Sequence, residues 1–115
     1  MVEYFKIIYS DEVEEFLDSL EDKARKKIIY NIDKAKITLD PELFKKLDSE
    51  IWEFRTKFNR KLYRLLAFWD KRDSSETLVI ATHGFIKKTK KTPKAEISRA
   101  RQIMVYYFKT KRHGN

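Results

Sequence analysis

Apolar positions along the chain follow a strand rhythm, then two helical rhythms, then strands again, then a last helix. Val2–Tyr9, VEYFKIIY, is rich in β-branched and aromatic residues and predicts a strand. Ser10 or Asp11 can cap the helix that follows, with acids in its first turn. Val13, Phe16, Leu17 and Leu20 recur at helical spacing over about 11–20. Ala24, Ile28, Ile32 and Ala35 form the stripe of a second helix over about 22–38, which Asp40–Pro41 breaks. Glu42–Leu47 reads as one further helical turn.

The period changes near residue 50. IWEFR at 51–55 predicts a short strand, and Asn59–Arg60 a turn. Leu62–Trp69 predicts a second strand, central because Leu65–Phe68 is too apolar for strict alternation. Asp70–Glu76 is a polar turn, and Thr77–Thr82 a third, buried strand. Strands joined by such short turns predict an antiparallel meander. Thr92–Pro93 opens the last helix, threonine as N-cap and proline at the first helical position. Ile97, Ala100, Met104, Tyr107 and Phe108 supply its stripe, and residues 110–115 read as a frayed basic tail. The fold class is α+β: a small antiparallel sheet, made of the N-terminal strand plus the meander, packed with an N-terminal helix pair and a C-terminal helix. Residues 1–115 form one domain on this reading.

Composition narrows the chemistry. There is no cysteine, which removes disulfides, thiolate nucleophiles and cysteine-based zinc sites, and suits a reducing cytosol. No apolar run approaches the roughly 20 residues of a membrane span, and MVEYFKIIYSDE lacks a signal-peptide layout. A cytoplasmic protein is expected. Only two glycines occur, so no glycine-rich phosphate loop is available. No metal-ligand motif appears, and neither metal nor cofactor is expected.

The net charge of +8 is unevenly held. Residues 1–50 carry 9 Lys/Arg against 13 Asp/Glu, and residues 51–115 carry 17 against 5. A basic half of this kind points to an anionic partner, nucleic acid first. The alternative is charge that merely keeps the protein soluble.

If the two strands after residue 50 pair as a hairpin, Arg55 and Arg64 lie near each other on one face. The lysine run of ATHGFIKKTKKTP then begins where the third strand stops. RNA cleavage by a ribose 2′-OH needs a base, an acid and cations around the crowded phosphorane. Arg55, Arg64, His83, Lys87 and Lys88 form a metal-independent set of that kind. Lys57, Arg60, Lys61, Lys90, Lys91 and Lys94 would bind the RNA around it. Each has a plainer explanation. His83 can be a structural hydrogen-bonding group, Lys87–Lys91 a solvated loop, and Arg64 the ion-pair partner of Glu53.

The stretch over about 50–107 resembles the RelE/ParE toxin superfamily, and within it the HigB-like, phage-derived branch. The matching positions are Trp52-Glu53-Phe54-Arg55, Tyr63-Arg64-Leu65, His83-Gly84-Phe85-Ile86-Lys87-Lys88, Lys91-Thr92-Pro93, Glu96-Ile97 and Ala100. The resemblance implies a toxin of a type II toxin–antitoxin system that enters the ribosomal A site and cleaves mRNA. It implies a cognate antitoxin, often a helix-turn-helix protein, and an antiparallel sheet with the helix pair on one side. It carries basic catalytic roles to Arg55 and Arg64, then to Lys87 and Lys88. Some relatives use a tyrosine after the last strand; none lies between Phe85 and Thr92 here. Others use histidines, which keeps His83 in the set. A ParE-like toxin acting on DNA gyrase, and a basic nucleic-acid-binding accessory protein, are the alternative functions.

Overall fold

The computed structural model describes residues 2–111. In chain order the elements are β1 (Lys6–Tyr9), α1 (Asp11–Asp18), α2 (Asp22–Thr38), β2 (Phe44–Lys46), β3 (Trp52–Phe58), β4 (Lys61–Asp70), β5 (Leu78–Lys87) and α3 (Lys94–Thr110). Ser10 caps α1: its Oγ accepts from the Val13 amide at 3.1 Å and donates to the Thr82 carbonyl at 2.8 Å. The cap therefore also ties α1 to β5. Of the predicted tail, residues 112–115 lie outside the described residues, and Thr110 and Lys111 close α3.

The five strands form one sheet in the order β1-β5-β4-β3-β2. The α+β class and the meander hold, but the sheet is mixed, because β1 runs parallel to β5. The helix pair returns the chain to the far edge at β2. Three antiparallel steps then bring β5 back beside β1 in the same direction. Residues 44–46 are a strand rather than part of a helical turn. Phe44 is buried, pairs with Phe54 across the ladder, and stacks on its ring at 4.1 Å. That burial outweighs any local helical preference of a short segment.

Helices cover both faces. On one, Val13, Leu17, Ile28 and Ile32 pack against Phe54, Leu65 and Val79. On the other, Ala100 and Met104 of α3 pack against Ile51, Leu66, Phe68 and Ile80. Asp70 anchors the far end of α3. Its carboxylate accepts from Tyr107 Oη at 2.7 Å and from Arg72 Nε and Nη2 at 2.9 Å each. These donors hold its pKa down to about 2.

β5 runs five residues past its predicted end at Thr82, so His83 is a mid-strand residue. Gly84 permits the extension. A Cβ there would sit 2.3 Å from Phe16 Cδ2 and 2.6 Å from Leu65 Cδ2, so α1 rests its Phe16 ring where the glycine has no side chain. The β4–β5 ladder also slips between Leu66 and Ala67: Ala67 faces Ala81, whereas Leu66 faces His83. Thr82 is the extra residue of this bulge. Strict alternation from Val79 would carry position 83 to the α1–α2 face. The bulge turns His83, and Lys87 after it, to the face that α3 partly covers.

Candidate functional site

Strand register gathers the cations. Arg55 and Arg64 are directly cross-strand partners, Arg64 faces Phe85, and Leu62 faces Lys87. With period-two alternation, Glu53, Arg55 and Lys57 of β3 share a face with Arg64 of β4 and with His83 and Lys87 of β5. α3 packs over Leu66, Phe68 and Ile80 at one end of this face. Toward the other end the apolar positions give way to the charged ones.

Glu53 lies at the centre and is almost fully buried, with a side chain 2% exposed. Its Oε1 is 3.5 Å from Arg55 Nε and 3.4 Å from Arg64 Nε. Both Nε–H groups are buried and outside hydrogen-bond geometry among the described residues, so the contact is a charge pairing. Its Oε2 accepts a hydrogen bond from the Thr92 hydroxyl. This explains why Pro93, not Thr92, is the cap of α3: the threonine side chain is engaged with Glu53.

A cleft of about 300 Å³ opens above Glu53. Lys45 and Lys46 of β2, Arg55, Lys87, Lys90 and Lys91 line it with Glu53 and Thr92. Burial lowers the Lys87 ammonium from its ordinary value; Glu53 opposes this, and Arg64, Arg55 and Lys45 add to it. Burial likewise lowers the Arg64 guanidinium, again against Glu53. Arg64 is 5% exposed, and its Nη1 donates to the Tyr63 carbonyl at 3.0 Å. It borders a second depression of about 330 Å³ that also holds Arg55 and Lys57. Arg55, 30% exposed, thus separates the two openings and reaches both.

The structure brings together Arg55, Arg64, Lys87, Lys90 and Lys91. Lys88 follows the last strand residue, is exposed, and does not line the cleft. Arg60, Lys61 and Lys94 are exposed, the first two at the β3–β4 turn and the third at the start of α3. His83 lies apart from the cleft, 1% exposed between β5 and α3. Its Nδ1 is 3.0 Å from Thr82 Oγ1 and its Nε2 is 3.0 Å from Glu96 Oε1. Burial lowers its pKa, against the hydrogen bond that Glu96 accepts from it.

Lys45, Lys46 and Thr92 are the polar lining residues that the sequence pattern does not assign to the site. The signal for the lysines was a basic pair standing inside the acidic 40–50 stretch. Among the described residues no group of three His, Asp or Glu side chains could hold a metal ion. No helix there is long and apolar enough to cross a membrane.

Residues 15–105 match the family of phage-derived Gp49-like proteins (DUF891). No curated protein matches the chain.

Proposed function

The chain belongs to the phage-derived Gp49-like family, within the RelE-like toxin group, and on that footing we propose that it is the toxin of a toxin–antitoxin pair and a HigB-like endoribonuclease that cleaves mRNA in the ribosomal A site. The observation that carries this reading is the cleft above Glu53, where Arg55, Lys87 and four further lysines converge with only one buried carboxylate among them. Such a surface suits a phosphodiester, whose charge it neutralises without a metal.

In the proposed reaction the ribose 2′ hydroxyl gives its proton to water, and its oxygen forms a bond to phosphorus as the bond to the 5′ oxygen breaks. A 2′,3′-cyclic phosphate and a 5′-hydroxyl result. Arg55 holds the non-bridging oxygens, supported from below by Arg64. Lys87, protonated but with a lowered pKa, gives its proton to the departing 5′ oxygen. His83 is a positioning residue here, because it fixes the first turn of α3 through Glu96. Lys90 and Lys91 guide the strand into the cleft, and the antitoxin is the partner that restrains the activity.

Inducible expression followed by mapping of RNA 5′ ends tests the proposal. Cuts at fixed positions within codons, confined to translated messages and lost in Arg55→Ala and Lys87→Ala, are expected. Accumulated DNA breaks with intact mRNA would move the target to gyrase. Expression without growth arrest would reduce the protein to a nucleic-acid-binding accessory.

A further inference from the structure

A third opening, of about 510 Å³, lies toward the far end of α3. It is lined by Trp52, Trp69, Phe68 and Phe108, with Lys46 and Lys71 among its polar residues. Lys46 also lines the basic cleft, so the two openings adjoin across one lysine. Between them the β2–β3 loop is fastened to the middle of α3: Arg101 pairs with Asp48 and, at 2.6 Å, with Glu50. Among the described residues Glu50 is the one acid lining the aromatic opening, and Arg101 offsets its charge.

The chemistry here differs from that of the cleft. Trp52 and Trp69 meet edge to face at 5.5 Å, and the Lys71 ammonium lies 4.8 Å from the centre of the Trp69 ring. Phe108, 36% exposed, stands against Phe68 at 5.5 Å. The exposed Phe108 and the half-buried Trp52 and Trp69, flanked by lysines and backed by the buried Phe68, fit a ligand that is itself a flat ring carried on an anion. The volume falls in the range of roughly 300–1,000 Å³ usual for small-ligand pockets.

We infer that this opening is a nucleobase subsite, taking one base of the single-stranded RNA whose phosphates lie in the basic cleft. The inference rests on the phosphate-cleft reading and adds where the strand goes next. The backbone passes Lys46, one base turns in against the aromatic rings, and Lys71 meets the phosphate beyond it. Base stacking tolerates sequence, so the subsite adds grip and register more than base choice.

The chain contains two tryptophans, and both line this opening, so intrinsic fluorescence reports on it directly. The full chain is titrated with a short single-stranded 2′-O-methyl oligoribonucleotide, which lacks the attacking hydroxyl, and with an abasic oligomer of the same length and charge. Anisotropy of an end label gives the affinity of each. Quenching by the base-bearing oligomer alone is expected, with binding about tenfold tighter than the abasic one, the effect of a single stacked base. Phe108→Ala should shrink that difference while abasic binding is unchanged. Lys71→Glu, at an exposed position, should weaken the base-bearing oligomer more than the abasic one. Equal affinities without quenching overturn the subsite and leave the phosphate cleft standing. Failure of both oligomers to bind at low salt overturns the phosphate cleft itself, and the subsite with it.

Discussion

His83 Nε2 and Glu96 Oε1 lie 3.0 Å apart, and a single extra residue in β5 makes that contact possible. The extra residue, Thr82, also serves the ring's other nitrogen. Its Oγ1 is 3.0 Å from His83 Nδ1 and 3.2 Å from the Leu66 carbonyl. One hydroxyl proton cannot satisfy both. With neutral His83, Nε2–H donates to Glu96 and Thr82 donates to Nδ1. With charged His83, Nδ1–H donates to Thr82, whose proton then turns to Leu66. The bulge thus accommodates both protonation states between β5 and the first turn of α3.

This arrangement predicts a pH dependence of stability. Burial lowers the folded pKa of His83 below its unfolded value near 6.5. The unfolded chain therefore binds the proton more readily. Stability is fully present above about pH 6.5 and falls as the pH drops toward the folded pKa. Urea midpoints measured from pH 7.5 to pH 5 should decline, and His83→Gln should flatten that slope. Glu96→Gln, which removes the group that supports the charged ring, should steepen it. A slope unchanged by both substitutions would assign the decline to other groups.

Much of this fold is legible in the sequence, for identifiable reasons. α2 spans the residues its stripe predicts, because Ala24, Ile28, Ile32 and Ala35 repeat regularly and face one sheet. The β3–β4 hairpin is legible because Asn59–Arg60 interrupts two runs of strand-forming residues. The bulge at Thr82 is not legible, since no local preference marks which residue a ladder will skip. Its consequence is large: it decides which face His83 and Lys87 occupy. Lys45 and Lys46 were hidden for a related reason. Their three-residue strand is held by the burial of Phe44, a tertiary effect that no periodicity over so short a run can display.

Glu53→Gln preserves size and removes the charge that Arg55 and Arg64 share. Arg64 is left buried without its counter-ion, so a loss of about 3 kcal/mol in unfolding free energy is expected by denaturant titration. The same change removes the group that holds the Lys87 pKa up. If protonated Lys87 is the acid, the alkaline limb of the cleavage rate should move to lower pH in Glu53→Gln. An alkaline limb that stays in place would take Lys87 out of the proton-transfer role.

Gly84→Ala should destabilise by roughly 1–3 kcal/mol, the usual cost of overpacking. The new methyl would meet Phe16 and Leu65 well inside contact distance. Both neighbours are side-chain ends, so the strain is relievable. Phe16→Leu combined with Gly84→Ala should recover part of the loss, and a double-mutant cycle measures the coupling. Additive losses would show that the glycine answers a need other than the ring of α1.

Arg60 sits where the backbone favours glycine. Phe58 and Lys61 close a two-residue hairpin loop, and Asn59 and Arg60 have φ of 51° and 66°. Both central residues in the left-handed region define the tight turn for which asparagine followed by glycine is preferred. An arginine there costs stability that its side chain, exposed at the tip, does not recover by packing. Arg60→Gly should therefore raise unfolding free energy by about 1 kcal/mol. If Arg60 also contacts RNA, the stabilised protein should bind a single strand more weakly, and its salt dependence should flatten by about 0.7 in log–log slope. Urea denaturation and salt-dependent binding on one preparation separate the two effects. A gain in stability with an unchanged salt slope would remove Arg60 from the RNA-contacting set and leave it only as a turn residue.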